Sequence, residues 1–224
     1  HSLGFRRERK IEPRLDKGAV PSPLTMTLGM ENDPRLEEQL PNYVRIVKDE
    51  IDDMVEAGAD EVQLDAPAEA TSLVNGTLPA AELLDTLIAP FDDAGDVTRT
   101  IHFCLGDISR RPGTDVQNLS SLMPLLQMLD GSVDRVHVEC SHAGQWADRH
   151  LFSEIPDSIE IIAGIADVKQ EPQPVTVLKD RIELLLEIVS EDRLLLSTSC
   201  GCGRVPHDEA IRLVRNLVKA AQDE

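Results

Sequence analysis

Apolar residues recur along the chain in two alternating patterns. Short runs of strand length are each followed by a longer stretch with apolar positions at helical spacing. Residues 22–30 (SPLTMTLGM) predict a first strand. A helix follows over 34–57, where Tyr43, Val44, Val47, Ile51, Met54 and Val55 recur at helical spacing and Gly58 sits at the C-cap. Residues 61–65 (EVQLD) predict a second strand, followed by a proline-containing turn. Leu83, Leu84, Leu87 and Ile88 mark a helix over 79–91. The third strand covers 101–105 and ends in a glycine turn, and an apolar helix over 119–129 is closed by Gly131. A strand over 135–140, a short helix over 143–152 and a strand over 159–167 come next. Leu178, Ile182, Leu185 and Leu186 define a helix over 175–189. A last strand over 194–199 precedes a helix over 207–221 carrying Ile211, Val214, Leu217 and Val218.

Strand then helix, six times over, is the signature of an α/β fold with a parallel sheet. Units of about 35 residues suit a barrel or a doubly wound sheet. Asp65 to His102 and His102 to Glu139 are both 37 residues (102 − 65 and 139 − 102), and Glu139 to Cys200 is 61 (200 − 139). The longer gap holds the 159–167 strand. Six units are two short of a (β/α)8 barrel, so the pattern fits an incomplete barrel or an open six-stranded sheet. Residues 1–20 are charged and without period, and predict a loop or a remnant. Residues 21–224 then form one domain, with no linker or low-complexity tract inside it.

Composition narrows the function classes. The chain has 224 residues, 41% of them hydrophobic but only 3% aromatic, so aliphatic side chains must do the packing. The net charge of -19 argues against nucleic acid and anionic membrane as partners. No apolar run reaches the ~18 residues of a membrane span, and no signal peptide opens the sequence. Four cysteines in a chain of this kind predict reduced thiols in a cytoplasm rather than a disulfide framework.

Chemistry gathers at the predicted strand ends, where parallel α/β folds build their sites. His102 and Cys104, two apart on a strand, point to the same face and make half of a zinc site. Glu139 and Cys200, at later strand ends, supply the rest. His137 shares a face with Glu139 and competes with it as a ligand. Cys202 reads as a bystander, and Cys140, facing away from Glu139, as a packing residue. Asp65 reads as a turn aspartate or as a carboxylate gripping a substrate ammonium. Asp167 and Lys169 read as a surface ion pair or as polar, acid-bearing groups facing the zinc. Two thiolates and a carboxylate around Zn²⁺ leave a net charge of −1 (2 − 3), a poor Lewis acid for water. Such a site suits binding a substrate thiol as thiolate and transferring an alkyl group to its sulfur.

These segments resemble the cobalamin-independent methionine synthase family. Val62-Gln63-Leu64-Asp65-Ala66-Pro67-Ala68 is similar to its IQIDEPA strand, and His102-Phe103-Cys104 to its His-x-Cys zinc pair. Glu139 falls at its zinc glutamate. Ser197-Thr198-Ser199-Cys200-Gly201-Cys202-Gly203 resembles its closing STDCGFG segment, and Gly164-Ile165-Ala166-Asp167-Val168 its seventh-strand segment. The resemblance covers about residues 20–222 and implies strands three to eight of a (β/α)8 TIM barrel. It implies Zn²⁺ on His102, Cys104, Glu139 and Cys200, a substrate site at Asp65, and methylation of homocysteine by a methyltetrahydrofolate. Lys169 stands where the family has its catalytic histidine, and Ala66 where it often has glutamate. Other thiols, such as coenzyme M, fit the same zinc core, as does a degenerate barrel without transferase activity. If the first two barrel strands are absent, the exposed sheet edge predicts a homo-oligomer or an unstable monomer.

Overall fold

The structure, a computed structural model, describes residues 17–28, 35–107 and 109–222. Its centre is a six-stranded sheet: β1 (Lys17–Pro21), β2 (Glu61–Asp65), β3 (Thr98–Phe103), β4 (Arg135–Glu139), β5 (Glu160–Ala166) and β6 (Leu194–Thr198). Every pairing is parallel, and the strands follow one another in chain order. Sequential order without reversal is barrel-type winding and excludes a doubly wound sheet, whose strand order must switch direction. Residues from both ends of the sheet, Lys17 and Ala19 of β1 and Ser197 and Thr198 of β6, line one cavity. The sheet is therefore strongly curled.

The helices are α1 (Pro23–Met26), α2 (Leu36–Glu56), α3 (Pro67–Asn75), α4 (Ala80–Ile88), α5 (Met123–Met128), α6 (Ala143–Ala147), α7 (Val175–Leu186) and α8 (His207–Ala221). Side chains on a strand alternate between faces. One face of the sheet carries Val62, Leu64, Ile101, Phe103, Val136, Val138, Ile161 and Ile165, all buried. They form a single core with Val47 and Ile51 of α2, Leu87 of α4, Leu125 of α5, Leu178 of α7 and Leu213 of α8. The alternate positions of β2, β3 and β4 include buried polar residues: Glu61, Gln63, Thr100, His102, His137 and Glu139. This polar face is the concave one.

At its lower end the polar face is closed by ion pairs. The Glu61 carboxylate takes Lys17 Nζ at 2.8 Å and Arg135 Nη1 at 2.9 Å, and accepts from Thr100 Oγ1 at 2.6 Å. Burial pushes its pKa up, but these three partners together hold it below the usual value.

Three elements differ from the sequence reading. The first strand is Lys17–Pro21, inside the expected 1–20 loop, and not 22–30. Ser22 caps α1 instead, its Oγ accepting from Thr25 N at 3.1 Å, with Pro23 pre-set for the first helical turn. Residues 1–16, 29 and 30 lie outside the described residues. The turn expected after Asp65 is helix α3, which opens on Pro67 and stops at Gly76, whose φ of 64° is left-handed. Helix α5 is shorter than 119–129, because Pro124 has no N–H to donate and is tolerated only in a first turn.

Candidate metal centre and strand-end cavity

Strand register brings the candidate residues to one end of the sheet. Asp65 pairs with His102, His102 with His137, and Glu139 with Gly164. Above them opens a cavity of about 610 Å³, lined among others by Asp65, His102, Cys104, His137 and Cys200.

His102, Cys104 and Cys200 come together, their ligand atoms all within 4.8 Å of one another. The two sulfurs are 3.7 Å apart, although 96 residues separate them in sequence. His102 Nδ1 faces the His137 carbonyl at 3.3 Å. A carbonyl only accepts, so Nδ1 carries the proton and Nε2 offers a lone pair. Nε2 is buried and has no hydrogen-bond partner among the described residues. A fixed tautomer with a free, buried Nε2 beside two thiols is the state of a metal-binding histidine. The neighbouring sulfur and burial push Cys104 up, whereas Cys104 and Lys169 pull Cys200 down. Cys200 is thus the more acidic of the two thiols. The donor set of one nitrogen and two sulfurs is what zinc takes.

Glu139 lies next to this group. It is 2% exposed, and Oε1 binds Lys169 Nζ at 2.5 Å while Oε2 accepts from Leu105 N at 2.9 Å. Burial raises the Glu139 carboxyl against the pull of Lys169. Burial also opposes the Lys169 charge, but the Glu139 carboxylate overcomes it and the ammonium is held charged. Lys169 therefore pairs with Glu139 and not with Asp167.

Asp167 is buried, and its Oδ1 accepts from the Lys169 backbone N–H at 2.8 Å. It fixes the turn that aims Lys169. Asp65 stands at the cavity wall, its Oδ1 accepting from Gln63 Nε2 at 2.7 Å. His137 stacks on His102 with ring centroids 4.0 Å apart and donates from Nε2 to the Thr198 carbonyl at 2.9 Å. Burial and the His102 neighbour depress its pKa well below the ordinary value, so it stays neutral. It supports the His102 ring and lies outside the cluster of ligand atoms. Cys140 is fully buried in the core and pushed up to about 12 by burial. Cys202 is half-buried at the edge of the core.

Sequence reasoning missed three cavity residues. Gln63 orients Asp65. Asp107 also lines the cavity, with Oδ1 on Arg110 N at 2.6 Å and Oδ2 buried without a partner. Arg204 sits exposed at the rim. The alternation of polar residues at 61, 63 and 65 was the available signal for Gln63.

A sheet of this winding, with a strand-end cluster of side chains that could hold a metal ion, defines a TIM-barrel domain. The chain belongs to the cobalamin-independent synthase catalytic-domain family, which it matches over residues 14–223. It is 26% identical to a methionine synthase of Methanothermobacter marburgensis, over 92% of this chain and 62% of that protein. It is 24% identical to a 5-methyltetrahydropteroyltriglutamate–homocysteine methyltransferase of Salinibacter ruber, over 77% of this chain and 20% of that one. The chain thus spans less than two thirds of these relatives. Its fold superposes on a B12-independent methionine synthase from Shewanella sp. W3-18-1, solved with selenomethionine, with a TM-score of 0.81 at 20% identity. That match covers 99% of this chain and 65% of the Shewanella one. A methyltransferase from Methanosarcina mazei aligns with a TM-score of 0.68 at 17% identity, over 99% of this chain and 63% of that chain. The fold is that of a (β/α)8 barrel, of which the described residues form six strands. Among the described residues no helix is long and apolar enough to cross a membrane.

Proposed function

We infer that the barrel domain, which includes β1 from Lys17 and so begins ahead of the expected residue 21, transfers a methyl or alkyl group to the sulfur of a small thiol, homocysteine first among the candidates, with zinc as cofactor. The observation that carries this reading is the buried, unpartnered His102 Nε2 facing Cys104 and Cys200 on the floor of an open cavity. His102, Cys104, Cys200 and Glu139 would hold the zinc, which supplies acidification of a bound substrate thiol. The names of the relatives support homocysteine as acceptor and a methylfolate as donor.

The chain's own residues have separable tasks. Asp65, held by Gln63, presents a carboxylate to the substrate ammonium from the cavity wall. His137 and the backbone around it keep the His102 ring in one tautomer. Lys169 holds a proton at Nζ beside the sulfur pair and is the acid for the leaving group of the donor. Asp167 positions it through the turn. Reduced thiols in such a site belong in a reducing compartment, the cytoplasm.

Elemental analysis of the purified protein beside Cys200→Ser tests the reading. About one zinc per chain that falls sharply in the variant is expected. Methyl transfer to homocysteine, with coenzyme M as the competing thiol, is the next assay. Absence of zinc from both proteins overturns the transferase reading and leaves four packing cysteines in a barrel.

A further inference from the structure

The direct contact between Glu139 and Lys169 is not explained by the roles that the zinc reading gives to each of them. Glu139 belongs to the ligand set, yet both its oxygens are engaged: one by Lys169 Nζ at 2.5 Å, the other by Leu105 N at 2.9 Å. Neither partner is at the surface, with side-chain exposures of 8% for Lys169 and 3% for Glu139. The three other ligand atoms already lie within 4.8 Å of one another without it. The geometry points to Lys169 as a built-in competitor for the fourth metal ligand: its ammonium and the zinc ion bid for one carboxylate, and Lys169 thereby sets the affinity of the site. This inference rests on the zinc reading above.

The physical reason is charge placement. A buried carboxylate without a counter-charge is costly, so Glu139 must have a cation beside it. Before metal arrives, Lys169 is that cation. When a dication enters among His102, Cys104 and Cys200, the same carboxylate meets a second one. Two cations cannot both have the full interaction, so part of the binding free energy goes into weakening the Lys169 contact. Lys169 does return something, because it neutralises the net negative charge of two thiolates and a carboxylate on a dication. The competition exceeds this return because Lys169 is bonded to Glu139 directly, whereas it acts on the sulfurs only through space. Asp167 keeps the competitor in place: its Oδ1 binds Lys169 N, and Gln173 Oε1 accepts from Asp167 N at 2.8 Å. The Lys169 side chain is therefore delivered from a braced turn and is not a free arm that could swing away at no cost.

Zinc dissociation constants, measured against a chromophoric chelator at fixed pH, test this on the whole chain. The proteins are wild type, Lys169→Met, Glu139→Gln and the double variant. Lys169→Met is expected to bind zinc more tightly by roughly tenfold, a shift opposite in sign to the loss that removing a supporting neighbour of a metal ligand brings. In the Glu139→Gln background the same change should have no such effect, because nothing is left to compete for. Cobalt(II) absorption in each protein reports thiolate coordination independently of activity. If the unpaired Glu139 keeps Lys169→Met from folding, Lys169→Gln, which retains a neutral donor, carries the same comparison. Unchanged or weaker zinc binding without the ammonium overturns the competition while leaving the metal site standing. No zinc binding by any of the four proteins removes the zinc reading itself, and this inference with it.

Discussion

Glu69 makes the stability of this domain depend on pH in a direction that can be calculated. It sits in the first turn of α3, fully buried. Its Oε2 accepts from Ser22 Oγ at 2.8 Å and Thr25 Oγ1 at 3.3 Å, and Oε1 has no partner among the described residues. Burial pushes the carboxyl from 4.5 up to about 7, and the hydrogen bonds offset only part of that. An acid whose pKa is raised by folding contributes stability that is fully present below 4.5. That stability is lost as pH rises through about 7, because the unfolded chain releases the proton first. The rise from 4.5 to about 7, at roughly 1.4 kcal/mol per pH unit, is about 3.5 kcal/mol in full, of which about 3 kcal/mol separates the two proteins at pH 8. Glu69→Gln keeps the shape and an acceptor for Ser22 and never ionises. Urea unfolding of both proteins at pH 5, 6, 7 and 8 isolates the effect, since all other titrating groups cancel in the difference. The two curves should lie close together at pH 5. By pH 8 the variant should be the more stable by about 3 kcal/mol, roughly 1 M urea in midpoint. Curves that run parallel across this range would refute the assignment of a protonated Glu69 to the folded state.

Two further substitutions test the framework of the site. A Cβ at Gly164 would come within 3.0 Å of Ser199 Cα and 3.1 Å of the Thr198 and Val138 carbonyl oxygens, so Gly164→Ala must displace β6. A loss of about 1–3 kcal/mol, seen as a fall in Tm of several degrees, is expected together with weaker zinc binding through Cys200; an unchanged Tm would show that β6 yields freely. Phe152 is 1% exposed in the core, and Phe152→Ala should cost about 3–5 kcal/mol in urea unfolding; a loss under 1 kcal/mol would mean that the helices collapse onto the space.

The cluster of His102, Cys104 and Cys200 shows how far strand periodicity reaches. His102 and Cys104 could be placed together from their spacing alone, because two residues apart on a strand means one face. Their position beside Cys200 followed from reading strand ends in a parallel fold. The pairing of Glu139 with Lys169 was not legible in the same way. Thirty residues separate the two, and only the register of β4 on β5 and the turn held by Asp167 bring Nζ to the carboxylate. The polar concave face was only partly legible: His102, Cys104, His137 and Glu139 were placed on strand faces, whereas the buried Glu61, Gln63 and Thr100 were not singled out.

What the sequence determined by itself was the succession of strands and helices, the reduced thiols, and the end of the sheet at which chemistry collects. These depend on local periodicity and on which side-chain types occur, and both can be read residue by residue. Where the first strand lies, which acid is buried, and which cation each carboxylate meets were decided only in the tertiary structure. Ser22 can end a strand or cap a helix, and it caps α1 while bonding Glu69 47 residues away. The energy of a charge depends on the groups that surround it once water is excluded. Those groups come from distant parts of the chain, so no window of sequence contains them.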